Sequence, residues 1–76
     1  MSEEVNEILQ SEVFPILKEK YGRFKLSQVK DGVVEIVILK ESFLSAGSCF
    51  DIVDTAERIL KNTIKGIDKV VLISNW

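Results

Sequence analysis

The sequence predicts an α+β fold: a two-layer α-β-β-α-β sandwich in which two helices cover one face of a three-stranded mixed sheet. Three observations carry that expectation. Apolar residues recur at helical spacing through residues 5–17 and again through residues 52–60. Asp31-Gly32, the strongest turn signal in the chain, separates two strand-like runs. A strand-sized apolar run, Val70-Val71-Leu72-Ile73, lies beyond the second helical stretch.

Each element has its own warrant. Ser2 is a good N-cap, and Glu3 and Glu4 suit the positive end of a helix dipole. Val5, Ile8, Leu9, Val13, Ile16 and Leu17 form the apolar stripe of a helix spanning about residues 3–20. Pro15 lacks an N–H, and its ring crowds the carbonyl of Ser11, so a kink is expected near residues 11–15. The alternative is a break with Ser11 as a second N-cap. Gly22 supplies the terminating cap. Phe24, Leu26 and Gln28 should share one face of the first strand, with Lys25, Ser27 and Val29 on the other. After the Asp31-Gly32 hairpin, Val34, Ile36 and Ile38 should face the core, while Val33, Glu35, Val37 and Leu39 face away. Residues 40–47 turn loop-like.

The second helix is expected from about Cys49 to Asn62, with Val53, Ala56, Ile59 and Leu60 inward and Ile52 beside them. Asp54–Arg58 and Glu57–Lys61 are i,i+4 pairs on its outer side. Ser48 with Asp51 makes an N-terminal box, and Ser45 is a competing cap. The last strand spans roughly Asp68 to Ser74.

Bulk properties narrow the function classes. Seventy-six residues make one small domain, residues 1–76. With one cysteine, Cys49, and no histidine, neither an internal disulfide nor a zinc finger is available. The lone thiol suits a reducing, cytoplasmic setting. Acidic residues at positions 3 and 4 are unlike the start of a signal peptide, and no apolar run is membrane-spanning in length. The net charge of −2 and pI near 5.0 argue against nucleic acid and give no reason to expect a membrane partner.

Set in register, the chain resembles the NifU-type iron–sulfur cluster scaffold domain, without gaps, from Val5 to about Ser74. Pro15 falls on the proline of that family's Arg-Pro, with Phe14 for the arginine. Gly22 matches the second glycine of a Gly-Gly, with Tyr21 in place of the first. Asp31-Gly32-Val33-Val34 matches the hairpin and second strand, and Ser48 a serine downstream of the ligand motif. Glu57 and Leu60 match an Ile-Glu-x-x-Leu, with Ala56 for isoleucine. The resemblance implies an iron–sulfur cluster held by Gly-x-Cys-x-x-Cys-Pro loops, two of them sharing a cluster between protomers. Here those cysteine positions are Ser42 and Ser45, the glycine is Lys40 and the proline is Ala46. Thiolates bind iron because they are soft, anionic and strongly donating; neutral hydroxyls are not. No cofactor or metal is therefore expected.

The remaining candidates are weighed on their chemistry. Cys49, near a helix N-terminus, is either a reactive thiol or a small packed residue, and one thiolate per chain cannot complete a four-ligand cluster. Ser42 and Ser45 lack a histidine base or a Ser-x-x-Lys partner, so they are loop and cap serines, and the chain is not expected to be an enzyme. Glu35, Glu41, Asp51 and Asp54 form a solvated face. Trp76 either covers a core edge or anchors a partner. Val37 and Leu39, with either Val70 and Leu72 or Val71 and Ile73, break the polar alternation of an open sheet face, which marks a contact with another chain unless the 40–48 loop folds over it. The candidate partner-binding residues are Val37, Leu39, Val71, Ile73 and Trp76.

Three functions are expected in turn. The first is a NifU-like domain in iron–sulfur cluster assembly that acts by contact with a cluster-assembly protein or its own copy, without ligating a cluster. The second is residual iron or cluster binding through Cys49 at a shared interface. The third is a KH-like RNA-binding module of related topology, which needs a Gly-x-x-Gly loop; glycines 22, 32, 47 and 66 do not provide one.

Overall fold

The computed structural model describes residues 2–39 and 46–74. The order is α1 (Ser2–Ile8), a π-helical turn (Leu9–Val13), α2 (Phe14–Tyr21), β1 (Phe24–Lys30), β2 (Val33–Ile38), α3 (Ala46–Thr63) and β3 (Lys69–Ser74). α1, the π turn and α2 run on from one another as one long helix. β2 is the central strand, antiparallel to β1 and parallel to β3. This is the α+β, α-β-β-α-β arrangement the sequence predicts.

Pro15 explains the π turn. It cannot donate to the Ser11 carbonyl, so the helix widens there and the Phe14 N–H donates to the Leu9 carbonyl, five residues back. Ser11 is not a second cap; its hydroxyl donates backward to the Glu7 carbonyl at 2.8 Å. The wider turn also shifts the phase of α2. Phe14 and Leu17 face the core, and Ile16, expected in the apolar stripe, is 51% exposed. Gly22, at φ 95° and ψ −152°, ends α2 in a conformation that glycine adopts readily.

A second offset lies in β1. Phe24 and Leu26 pair with Ile38 and Ile36, but Gln28 pairs with Glu35 and Val29 with Val34. Ser27 is therefore the extra residue of a bulge, and it reverses the expected facing of the next two positions. Val29 packs against the core, whereas Gln28 lies on the outer face and donates to Glu35 at 2.8 Å.

Asp31 (φ 52°) and Gly32 (φ 78°) are both left-handed, as a two-residue type I′ hairpin requires. The turn also receives β3: the Gly32 carbonyl accepts from the Asp68 and Lys69 N–H groups at 2.7 and 3.3 Å. A Cβ at Gly32 would meet the Gly66 carbonyl oxygen at 2.7 Å, so the position needs glycine for space as well as for φ.

The helices and one sheet face share a single core. Val5, Leu9, Val13 and Leu17 from the long helix meet Ile52, Ala56 and Leu60 from α3 and Val34, Ile36 and Val70 from the sheet. Phe14 and Phe24 stack over one end with ring centroids 6.0 Å apart. α3 begins at Ala46, earlier than the expected Cys49, so Ser48 lies in its first turn and not at the N-cap position. Its fully buried line is Ile52-Ala56-Leu60, with Val53 and Ile59 half-buried on either side.

Candidate protein-contact surfaces

Strand register defines the outer sheet face row by row. Nearest the hairpin turn the row is Lys30, Val33, Lys69; the next is Gln28, Glu35, Val71; the last is Lys25, Val37, Ile73. The face therefore gains apolar residues away from the turn, although exposed Lys25 stays in the last row. The choice left open by β3 resolves to Val71 and Ile73 outward, because Val70 is buried in the core and Leu72 packs against it. Leu39 extends the ladder through its N–H to the Arg23 carbonyl at 3.1 Å and is half-buried. Val37 is only 8% exposed, although it lies outside the helix-side core. Val71, Ile73 and Leu39 are thus the half-buried apolar residues at this end. Trp76, Ser42 and Ser45 lie outside the described residues, as do Glu41 and the expected cap at Ser45.

Cys49 sits in the first turn of α3 and is half-buried. Among the described residues no group of three cysteine or carboxylate side chains converges as a metal site. The acidic residues are instead dispersed: Glu35 accepts from Gln28, Asp51 accepts from Tyr21, and Asp54 pairs with Arg58 at 3.8 Å. The donor set does not fit an iron–sulfur cluster, which needs several thiolates where this chain has one.

Two polar contacts tie elements together in ways that spacing does not show. Glu57 lies on α3 beside β3, where the sheet ends. One of its oxygens accepts the Val70 N–H at 3.0 Å, and the other lies 3.5 Å from Lys61. The Val70 amide is thereby satisfied on a strand with a neighbour on one side only. Tyr21, at the end of α2, donates its hydroxyl to Asp51 in α3 at 2.6 Å. That hydrogen bond to a carboxylate, with smaller contributions from desolvation and the Asp51 charge, raises the Tyr21 phenol above its ordinary value of 10.0.

Two small clefts of opposite character lie among the described residues. One, about 180 Å³, is lined by Glu4, Glu7, Ile8, Thr63 and Ile64. The other, about 160 Å³, is lined by Gln10, Phe14, Lys18, Gly22, Arg23 and Phe24. Both are below the usual size of a cofactor or drug-like site. Phe50, on the first turns of α3, is 79% exposed. No motif singles out Phe50, Lys18 or Arg23 as functional, although helical phase alone puts Phe50 outside the Ile52-Ala56-Leu60 line.

No family model, curated protein or solved structure matches the chain. Among the described residues no helix is long and apolar enough to cross a membrane.

Proposed function

We propose that this chain is a degenerate NifU-like domain of iron–sulfur cluster assembly, a binding module of the cytoplasm that works by protein contact and not by holding a cluster or by catalysis. The observation that carries the reading is the α-β-β-α-β order, set in gapless register with the NifU pattern, with hydroxyls at both ligand positions, Ser42 and Ser45. The frame supports the kinship, and the donor chemistry removes the cluster. The apolar end of the outer sheet face, with Val71, Ile73 and Leu39, is the contact surface in this reading.

Two experiments test the two halves. Anaerobic reconstitution with iron and sulfide should leave the pure protein without a stoichiometric cluster; a stable cluster would sink the proposal. A pull-down from native cytosol should enrich cluster-assembly proteins, and Val71→Lys/Ile73→Lys should abolish that enrichment. Capture of none of them by the wild-type chain would remove the cluster-assembly role.

A further inference from the structure

We propose that the free edge of β3 is a self-association site, at which the β3 of a second copy adds antiparallel across a twofold axis at Ile73. Two contacts give the backbone phase of β3. The Lys69 N–H donates toward the β1–β2 turn, at the Gly32 carbonyl, whereas the Val70 N–H points away from β2, to Glu57. The N–H and C=O of one strand residue share a side, and the side alternates along the strand. Leu72 and Ser74 therefore also direct theirs away from β2. Among the described residues no strand lies beyond β3. The two edges of the sheet are not alike. β1 carries exposed Lys25 and Lys30 and the bulge at Ser27, devices that keep other strands off an edge. Val70–Ser74 has neither a charge nor a bulge. Its guard is Glu57, which occupies the Val70 N–H and leaves Leu72 and Ser74 open.

An independent observation falls beside the open stretch. Phe50, 79% exposed, lies two helical turns before Glu57 and so on the same face of α3. Because β2 and β3 are parallel, α3 runs back between them, antiparallel to β3. Phe50 is about 10 Å along α3 from Glu57. About 10 Å along β3 from Val70 is Ile73. The exposed ring thus stands on the edge side of α3, level with the open amides. These features select a second copy as the occupant. Since Glu57 holds the Val70 N–H, the register that uses only open groups pairs Leu72 with Ser74 of the second copy, and Ser74 with its Leu72. Each pair exchanges N–H···O bonds in both directions. Ile73 then meets its own copy on the outer sheet face, and the two Phe50 rings approach on the helix side. An uncharged strand opposes no like charges when it meets itself, and a twofold contact closes with no unguarded edge for a third chain. None of this depends on the cluster-assembly reading, so either can fail without the other.

The test uses the pure full chain, followed by sedimentation and by amide shifts and hydrogen exchange in NMR, from about 20 μM to about 1 mM, a range in which weak contacts populate. The expected result is a dimer whose Leu72 and Ser74 amides shift and gain protection as concentration rises. Phe50→Asp should weaken it at least about tenfold, with far-UV circular dichroism unchanged. Ile16→Asp makes the same change at the other exposed large hydrophobic residue and should leave dimerisation within about twofold. Ser74→Pro removes an outward N–H and none that β2 uses, so it should abolish the dimer. Any of four outcomes would overturn the proposal: a monomer throughout, equal loss in Phe50→Asp and Ile16→Asp, concentration-dependent shifts centred on Lys25 and Val37, or the same centred on β1 and its lysines. Leu72 and Ser74 amides protected only on addition of a polyvaline-threonine strand peptide would assign the edge to a foreign strand and overturn it too. Should Ser74→Pro unfold, the comparison of Phe50→Asp with Ile16→Asp decides, since both side chains are exposed.

Discussion

Replacing Glu57 by alanine should cost more than any surface ion pair can explain. The wild-type carboxylate accepts the Val70 N–H at 3.0 Å and has a side-chain exposure of 28%, so it is neither fully wet nor fully buried. Hydrogen bonds to charged groups contribute about 1.5–3 kcal/mol. Partial exposure moves the expectation to the low end of that range or just below it, about 1–2 kcal/mol for Glu57→Ala. The Lys61 contact, at 3.5 Å on an exposed helix face, is worth only about 0.3–0.5 kcal/mol. Lys61→Ala therefore measures the ion pair alone, and Glu57→Gln, which keeps an acceptor oxygen, should fall between the two. Urea unfolding followed by far-UV circular dichroism gives the three values. Hydrogen exchange should show the Val70 amide losing protection in Glu57→Ala more than its neighbours do. If Glu57→Ala and Lys61→Ala lose the same amount, within about 0.3 kcal/mol, the strand contact contributes nothing and the reasoning fails.

Gly32→Ala combines a left-handed φ of 78° with a Cβ placed 2.7 Å from the Gly66 oxygen, and should cost at least about 2 kcal/mol in urea unfolding; a loss under about 0.5 kcal/mol would show that the turn relaxes freely. Tyr21 titrates above 10.0 in the folded protein, so folding favours its neutral phenol. Its contribution is complete below about pH 10 and is lost as pH rises through the raised folded value. Tyr21→Phe should therefore show a shallower alkaline loss of stability, and an unchanged slope would assign that loss to other groups. Cys49→Ser should leave iron content after anaerobic reconstitution unchanged; iron that disappears with the thiol would restore the cluster-binding alternative.

The part of the fold legible in the sequence was the part governed by simple periods. β2 alternates as its residue types predict, with Val34, Ile36 and Ile38 inward, and Asp31-Gly32 forms the turn those two residues favour. The misses sit where one extra residue changes the phase. Pro15 signals a disturbance, but not that a π turn would bury Phe14 and expose Ile16. The β1 bulge at Ser27 has no residue signature, and it exchanges the roles of Gln28 and Val29. Gly47 and the small residues around it suggest loop, yet α3 runs through them, supported by the burial of its later turns. The contact surfaces are harder still. Facing on β2 is readable, but the cleft beside Phe14 and Phe24 and the Glu57–Val70 bond depend on how separate elements meet, which local pattern does not encode.

The Gly32 carbonyl ties the most local contact of the sheet to its most distant one. As the acceptor for both Asp68 and Lys69, it is where the final strand meets the hairpin turn. The two-residue turn joins neighbours in sequence, whereas β2–β3 pairing must close the long intervening segment and carries the larger loop-closure cost. A small sheet that closes its nearest contact before its farthest meets the loop-closure cost in stages, since each added strand finds its partner already ordered. The backbone at one glycine thus joins the β1–β2 turn to the start of β3.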